Sequence, residues 1–170
     1  MRLRAWCARV SQGRRQSHGT KDHGFRAHPK PGIDPRSDRK NLRNMQRGRE
    51  WVWIVGNHDP EPADGIGGSF TDVLSAGPLT FRHLPSGVSG EVSGHLHPVA
   101  RISHRGRAVS RRCFAADKTR MVMPAFGAFT GGLNVRDSAF ADLFGTLAFN
   151  AYLLGDGRLY SFTAKRCLPD

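Results

Sequence analysis

Eight histidines occur in the chain, and four of them, His58, His83, His95 and His97, fall at the ends of apolar runs or in the adjoining turns, beside Asn57 and Asp59. Strand ends are where sheet-based sites gather their ligands. Imidazole nitrogens together with amide and carboxylate oxygens form a donor set suited to Mn, Fe or Zn rather than to a metal that prefers thiolates. His95 and His97 lie one residue apart, so on a strand they would share a face; a plain turn pair is the competing reading. Asp59 is either the carboxylate that orients the neighbouring imidazole or, ahead of Pro60, a turn former. The chemistry open to such a group is the binding of a divalent cation.

The elements that must position these residues are indicated by apolar periodicity. Asp38 to Arg49 is helix-compatible, with Leu42, Met45 and Gln46 on one face and Gly48 as a stop signal. Trp51 to Val55 reads as a buried strand ending at Gly56, which delivers Asn57. Gly65 to Gly68 reads as a loop, Phe70 to Leu74 as a helical turn, and Leu79 to His83 as a strand. Val88 to Ser93 and Val99 to Ser103 are two further strands flanking Gly94-His95-Leu96-His97-Pro98. Cys113 to Ala116 with Arg120 to Pro124, and Ala151 to Leu154 with Arg158 to Thr163, are predicted hairpins. Phe140, Leu143, Phe144 and Leu147 have helical spacing.

Gly56-Asn57-His58-Asp59 after one apolar strand, His83 at the end of another, and Gly94-His95-Leu96-His97 after a third resemble, in order, the last three signature blocks of calcineurin-like metallophosphoesterases. Further on, Arg111-Arg112-Cys113-Phe114, Met123-Pro124-Ala125-Phe126-Gly127 and Thr130-Gly131-Gly132-Leu133-Asn134 are similar to the bacterial DNA-ligase-associated branch. The likeness covers roughly residues 38–163. It implies an α/β fold, the α/β/β/α sandwich of that family, incomplete here on its N-terminal side. It also implies a site of two divalent metal ions, Mn, Fe or Zn, that bind phosphate oxygens and lower the pKa of a bound water. Asn57, His83 and His95 match ligands of one metal, and His97 matches a ligand of the other. His58 matches the group that faces the substrate as general acid, with Asp59 holding its ring. Gly56 and Gly94 would let the backbone turn sharply beneath the metals.

The family's opening Asp-x-His strand and its Gly-Asp block, which include the carboxylate bridging both metals, are missing from this sequence. Asp22, His23 and Asp34 are preceded by no apolar strand and receive no metal role. The chain is therefore expected to bind at most one ion and to be inactive or nearly so. Residues 1–37 read as a basic tail, disordered or non-native, such as an out-of-frame or wrongly assigned start, ahead of a partial domain over 38–170. Of 26 Lys and Arg and 14 Asp and Glu in the whole chain, 14 and 4 lie in residues 1–50, so the charge of +12 is concentrated there and the remainder is nearly neutral. That tail holds too few large apolar residues to offset its chain entropy.

Cys7, Cys113 and Cys167 are odd in number and widely spaced, which excludes a disulfide framework and a thiolate zinc knuckle and leaves buried or incidental thiols. No apolar run is long enough to span a membrane and no secretory signal is evident, so the expectation is a cytoplasmic protein with no membrane partner. The function expected from the resemblance is a hydrolase, a phosphodiesterase or endonuclease acting on DNA or RNA. A DNA-repair setting and a functional link to a DNA ligase and helicase accompany it. Arg101, Arg111 and Arg112, in a cluster with Arg105 and Arg107, are candidates for contacting a polyanionic substrate, or else a solvated surface. The rival class is a non-catalytic basic nucleic-acid-binding protein.

Overall fold

The structure is a computed structural model that describes residues 35–57, 66–126 and 130–170. The described residues open with helix α1 (Pro35–Gln46), whose first residue suits the free N–H end of a helix because proline has no N–H to leave unpaired. Leu42 packs toward the core and the Gln46 amide donates to the Ile66 carbonyl at 2.7 Å, while Met45 points to solvent at 55% exposure. The apolar face is thus Leu42 with Gln46, narrower than the periodicity suggested.

Strand β1 (Val52–Ile54) is buried throughout and pairs in parallel with β2 (Ser69–Thr71). Trp51, Trp53, Ile66 and Phe70 make a small aromatic core beneath them, with Trp53 and Phe70 stacked at 6.1 Å between ring centroids. The Trp53 indole N–H donates to the Gly67 carbonyl at 2.8 Å, which satisfies its polar edge inside that core. The expected helical turn over Phe70 to Leu74 is instead the end of β2 and the start of β3 (Val73–Ala76), which forms a hairpin with β4 (Leu79–Arg82). Alternation of exposed and half-buried residues along β3 is the period-2 signal that the short run concealed.

The main sheet continues with β5 (Glu91–Ser93), β6 (Pro98–His104), β7 (Arg107–Ala116), β8 (Arg120–Val122) and β9 (Leu133–Asn134). It is completed by β10 (Asn150–Gly155) and β11 (Arg158–Thr163), with α2 (Ser138–Phe144) before them and a 3-10 turn (Ala164–Arg166) after. The order is β11-β10-β7-β8-β5-β4-β3. Strand β7 serves two sets of partners. Its Cys113–Ala116 end pairs with β10, and its Arg107–Arg112 end pairs with β6, which also carries β9. Ten residues long, it joins the β6–β9 branch to the rest of the sheet. Both predicted hairpins form as read, β7 with β8 and β10 with β11.

The larger core gathers Ala100, Cys113, Ala115, Val122, Val135, Ala151 and Leu153 with Phe140, Phe144 and Phe149. Phe144 and Phe149 stack at 4.4 Å. Helix α2 starts because Asp137 accepts the Ala139 N–H at 2.9 Å, an N-cap that meets one of the free donors of the first turn. Its last buried residue is Phe144; Leu147, expected on the same face, lies beyond the helix in a left-handed conformation at φ 61°. Among the described residues Cys113 and Cys167 are buried free thiols, as read, and no helix is long and apolar enough to cross a membrane.

Candidate metal centre

Strands β4, β5 and β8 run parallel, and their register brings equivalent ends level: Arg82 lies opposite Ser93, and Ser93 opposite Val122. The segments leaving β4 and β5 must therefore emerge side by side. His83 leaves β4 and Gly94-His95 leaves β5, and the Gly94 N–H donates to the His83 carbonyl at 3.0 Å. Gly56, beyond the end of β1, approaches from the other side. A Cβ at Gly56 would stand 2.9 to 3.1 Å from the His83 ring, so the absence of a side chain there lets the Asn57 backbone come up against the imidazole.

The result is a contact of three donor atoms from three strand ends. His83 Nε2 lies 2.5 Å from Asn57 Oδ1 and 3.2 Å from His95 Nδ1, with the two rings edge to face at 5.1 Å. Asn57 is exposed, while His83 and His95 are half-buried, so the group opens to solvent on the asparagine side. Asn57 Oδ1 has only lone pairs to offer, so the ring nitrogen of His83 must carry the hydrogen in that bond. With that hydrogen displaced and His95 Nδ1 unprotonated, a cation beside the three atoms would meet a lone pair from each, once Asn57 Oδ1, 2.5 Å from His83 Nε2, draws back to make room. Two donors bound to one ion at about 2.0–2.2 Å stand about 3 Å apart, which is the spacing of the two imidazole nitrogens. The donor set fits a borderline transition-metal ion.

The His95-Leu96-His97 segment is a turn and not a strand, so the common face expected of a strand pair does not apply. Both histidines have left-handed backbones, φ 62° and 47°, which cost L-residues roughly 1–2 kcal/mol each. The turn is also where the chain passes from β5, between β4 and β8, to β6, which pairs with β7 and β9. His97 is half-buried, two residues on from His95. His58 and Asp59, the residues matched to proton transfer, lie outside the described residues, as do Asp22, His23 and Asp34. Among the described residues no group of three or more His, Cys, Asp and Glu side chains comes together.

The arginines divide. Arg112 Nη2 donates to the Thr130 carbonyl at 2.9 Å, on the strand opposite Val99 and close to the histidine turn. Arg101 Nη1 instead donates to the Pro169 carbonyl at 2.8 Å, which ties down the C-terminal residues, and Arg111 donates to its neighbour Ser110. Sequence reasoning missed Glu91, which is 1% exposed and accepts from the Ser86 N–H at 3.0 Å and the Ser86 hydroxyl at 2.5 Å, with Arg82 at 3.8 Å. This carboxylate pins the turn that leaves His83. A lone glutamate in a three-residue strand gave no signal of burial.

No model of a known protein family matches the sequence, and no curated protein is similar to it. Among solved structures, the crystal structure of Pseudomonas putida nuclease MPE is similar, with a TM-score of 0.54 and 25% identity over 74% of this chain. The match spans 60% of the length of that nuclease. Its level is that of the superfamily. The chain thus has a mixed α/β, sheet-dominated fold of metallophosphoesterase type, with Asn57, His83 and His95 gathered where its strands end.

Proposed function

We propose that the chain is a metal-dependent phosphoesterase of the DNA-ligase-associated kind, acting on phosphodiester bonds of nucleic acid in a DNA-repair setting. The observation that carries the reading is the convergence of Asn57 Oδ1, His83 Nε2 and His95 Nδ1 at adjacent strand ends. Likeness of the fold to a nuclease supports it. Asn57, His83 and His95 would hold one divalent ion; His97 matches a ligand of the family's second ion, which this chain is not expected to retain. A bound ion supplies charge neutralisation at phosphate oxygens and a water of lowered pKa. By the resemblance, His58 would be the proton donor to the leaving oxygen and Asp59 the carboxylate that orients it. Arg101, Arg111 and Arg112 are the candidates for contacting substrate phosphates, though each already donates to a backbone carbonyl, Arg112 to that of Thr130.

No carboxylate among the described residues joins the cluster. With the family's Asp-x-His and Gly-Asp blocks missing from the sequence, the chain is expected to hold at most one ion, of the Mn, Fe or Zn class, without the paired clamp on attacking and leaving oxygens. Hydrolysis of a nitrophenyl phosphodiester with excess Mn²⁺ is expected barely above background, abolished by chelator and by His83→Ala. A chain that neither binds Mn²⁺ nor cleaves the diester would overturn the reading. Retention of an oligonucleotide that survives both chelator and His83→Ala would identify the rival, a basic protein that binds nucleic acid without cutting it.

A further inference from the structure

The histidine turn needs something to hold it, because two left-handed histidines flanking Leu96 are not a conformation the chain adopts unaided. Within the turn the Leu96 N–H donates to the Gly94 carbonyl at 2.7 Å. From outside, the Leu133 N–H reaches the carbonyls of both Leu96, at 3.4 Å, and His97, at 3.2 Å, and the Val135 N–H donates to the Val99 carbonyl at 2.9 Å. These bonds lay β9 along the start of β6, with Pro98 opposite Leu133. They close only because residue 132 is glycine. A Cβ there would stand 2.5 Å from the His97 carbonyl oxygen and closer still to Val99 Cγ2, well inside van der Waals contact. Gly131, its neighbour, would place a Cβ in open space. Neither glycine has a positive φ, so the difference between them is one of room and not of backbone freedom.

We infer that Gly132 is the positioning residue of the metal centre: its bare backbone lets β9 clamp the His95–His97 turn in the left-handed form that presents His95 to His83. The inference rests on the proposed metal site for its consequence, though not for its geometry. A side chain at 132 must push the His97 carbonyl away, lengthen the bonds from Leu133 and let the turn relax, which carries His95 Nδ1 away from His83 Nε2.

The test compares three variants of the full chain: Gly131→Ala, Gly132→Ala and the double Val99→Ala, Gly132→Ala, in which the His97 carbonyl oxygen is the obstacle that remains. Long-range ¹H–¹⁵N spectra read the imidazoles directly, and titration with Mn²⁺ reads the site. Gly131→Ala should leave both unchanged. Gly132→Ala should shift His95 and His97 but not the remote His104, and weaken Mn²⁺ binding by about 10–100-fold, as loss of a ligand's supporting contacts does. If Gly132→Ala fails to fold, the double variant should fold and show the same shifts. Wild-type imidazole spectra in either folded Gly132 variant, or equal shifts in Gly131→Ala, would overturn the inference. A wild-type chain that binds no Mn²⁺ would sink the metal reading, while the imidazole shifts would still decide the role of Gly132.

Discussion

His95 Nδ1 stands 3.2 Å from His83 Nε2, although one residue leaves β5 and the other leaves β4. The two nitrogens meet because parallel strands in register end at the same level, so the sheet topology brings together two histidines that lie twelve residues apart in the chain. Asn57, brought by a separate two-stranded layer, completes the contact.

His83→Ala removes the nitrogen shared by both contacts, whereas His95→Ala leaves the Asn57–His83 hydrogen bond in place. Loss of Mn²⁺ binding should therefore be complete in His83→Ala and partial in His95→Ala, read by calorimetry. Equal, wild-type affinity in both would show that the ion sits elsewhere.

Glu91 is a buried carboxylate whose partners are Ser86 and Arg82. Glu91→Ala leaves those donors without their acceptor, and because Arg82 is 32% exposed and Ser86 is exposed, water offsets part of the loss, which should be about 1–3 kcal/mol. Urea unfolding should show that loss in midpoint. A change within a few tenths of a kcal/mol would mean that water serves the Ser86 turn equally well.

Asp117 caps the β7–β8 turn. Burial pushes its carboxyl up, but hydrogen bonds from the Thr119 and Arg120 N–H groups and the Thr119 hydroxyl, with the Arg120 charge, hold it below its ordinary value. The ionised form is thus favoured more in the folded chain than in the unfolded one. Its stabilisation is present at neutral pH and is lost as pH falls below the ordinary aspartate range near ~4. Asp117→Asn should flatten the acid side of a stability–pH curve; an unchanged acid slope would contradict this.

The Cys113 thiol is pushed up to about 12, chiefly by burial and secondly by the nearby Cys167. A thiol with a raised pKa in the folded state stabilises fully below the unfolded value, ~8.5, and loses that contribution as pH climbs toward the folded value. Stability should decline above about pH 8.5, less so in Cys113→Ala, and the folded thiol should resist alkylation at pH 8. Rapid labelling of Cys113 under native conditions would be inconsistent with its place in the core.

The strands were legible where apolar runs were bounded by turn residues: Trp51 to Val55, Leu79 to His83 and both late hairpins stand where the spacing put them. Phe70 to Leu74 was not, because five residues spanning the end of one strand and the start of another show no period of their own. The extension of β7 through Arg107 to Arg112 was hidden by its arginines, which suit an exposed strand face but carry no hydrophobic alternation. The ordered motifs singled out Asn57, His83 and His95, and the structure brings these three side chains together. The clamp at Gly132 was not, since the need for a bare backbone arises only when β9 is laid against β6.

The most direct measurement is a calorimetric titration of the purified chain with Mn²⁺. One weak equivalent per chain, lost in His83→Ala, is the result that a site of Asn57, His83 and His95 requires. No binding at all, or binding untouched by that substitution, would contradict it.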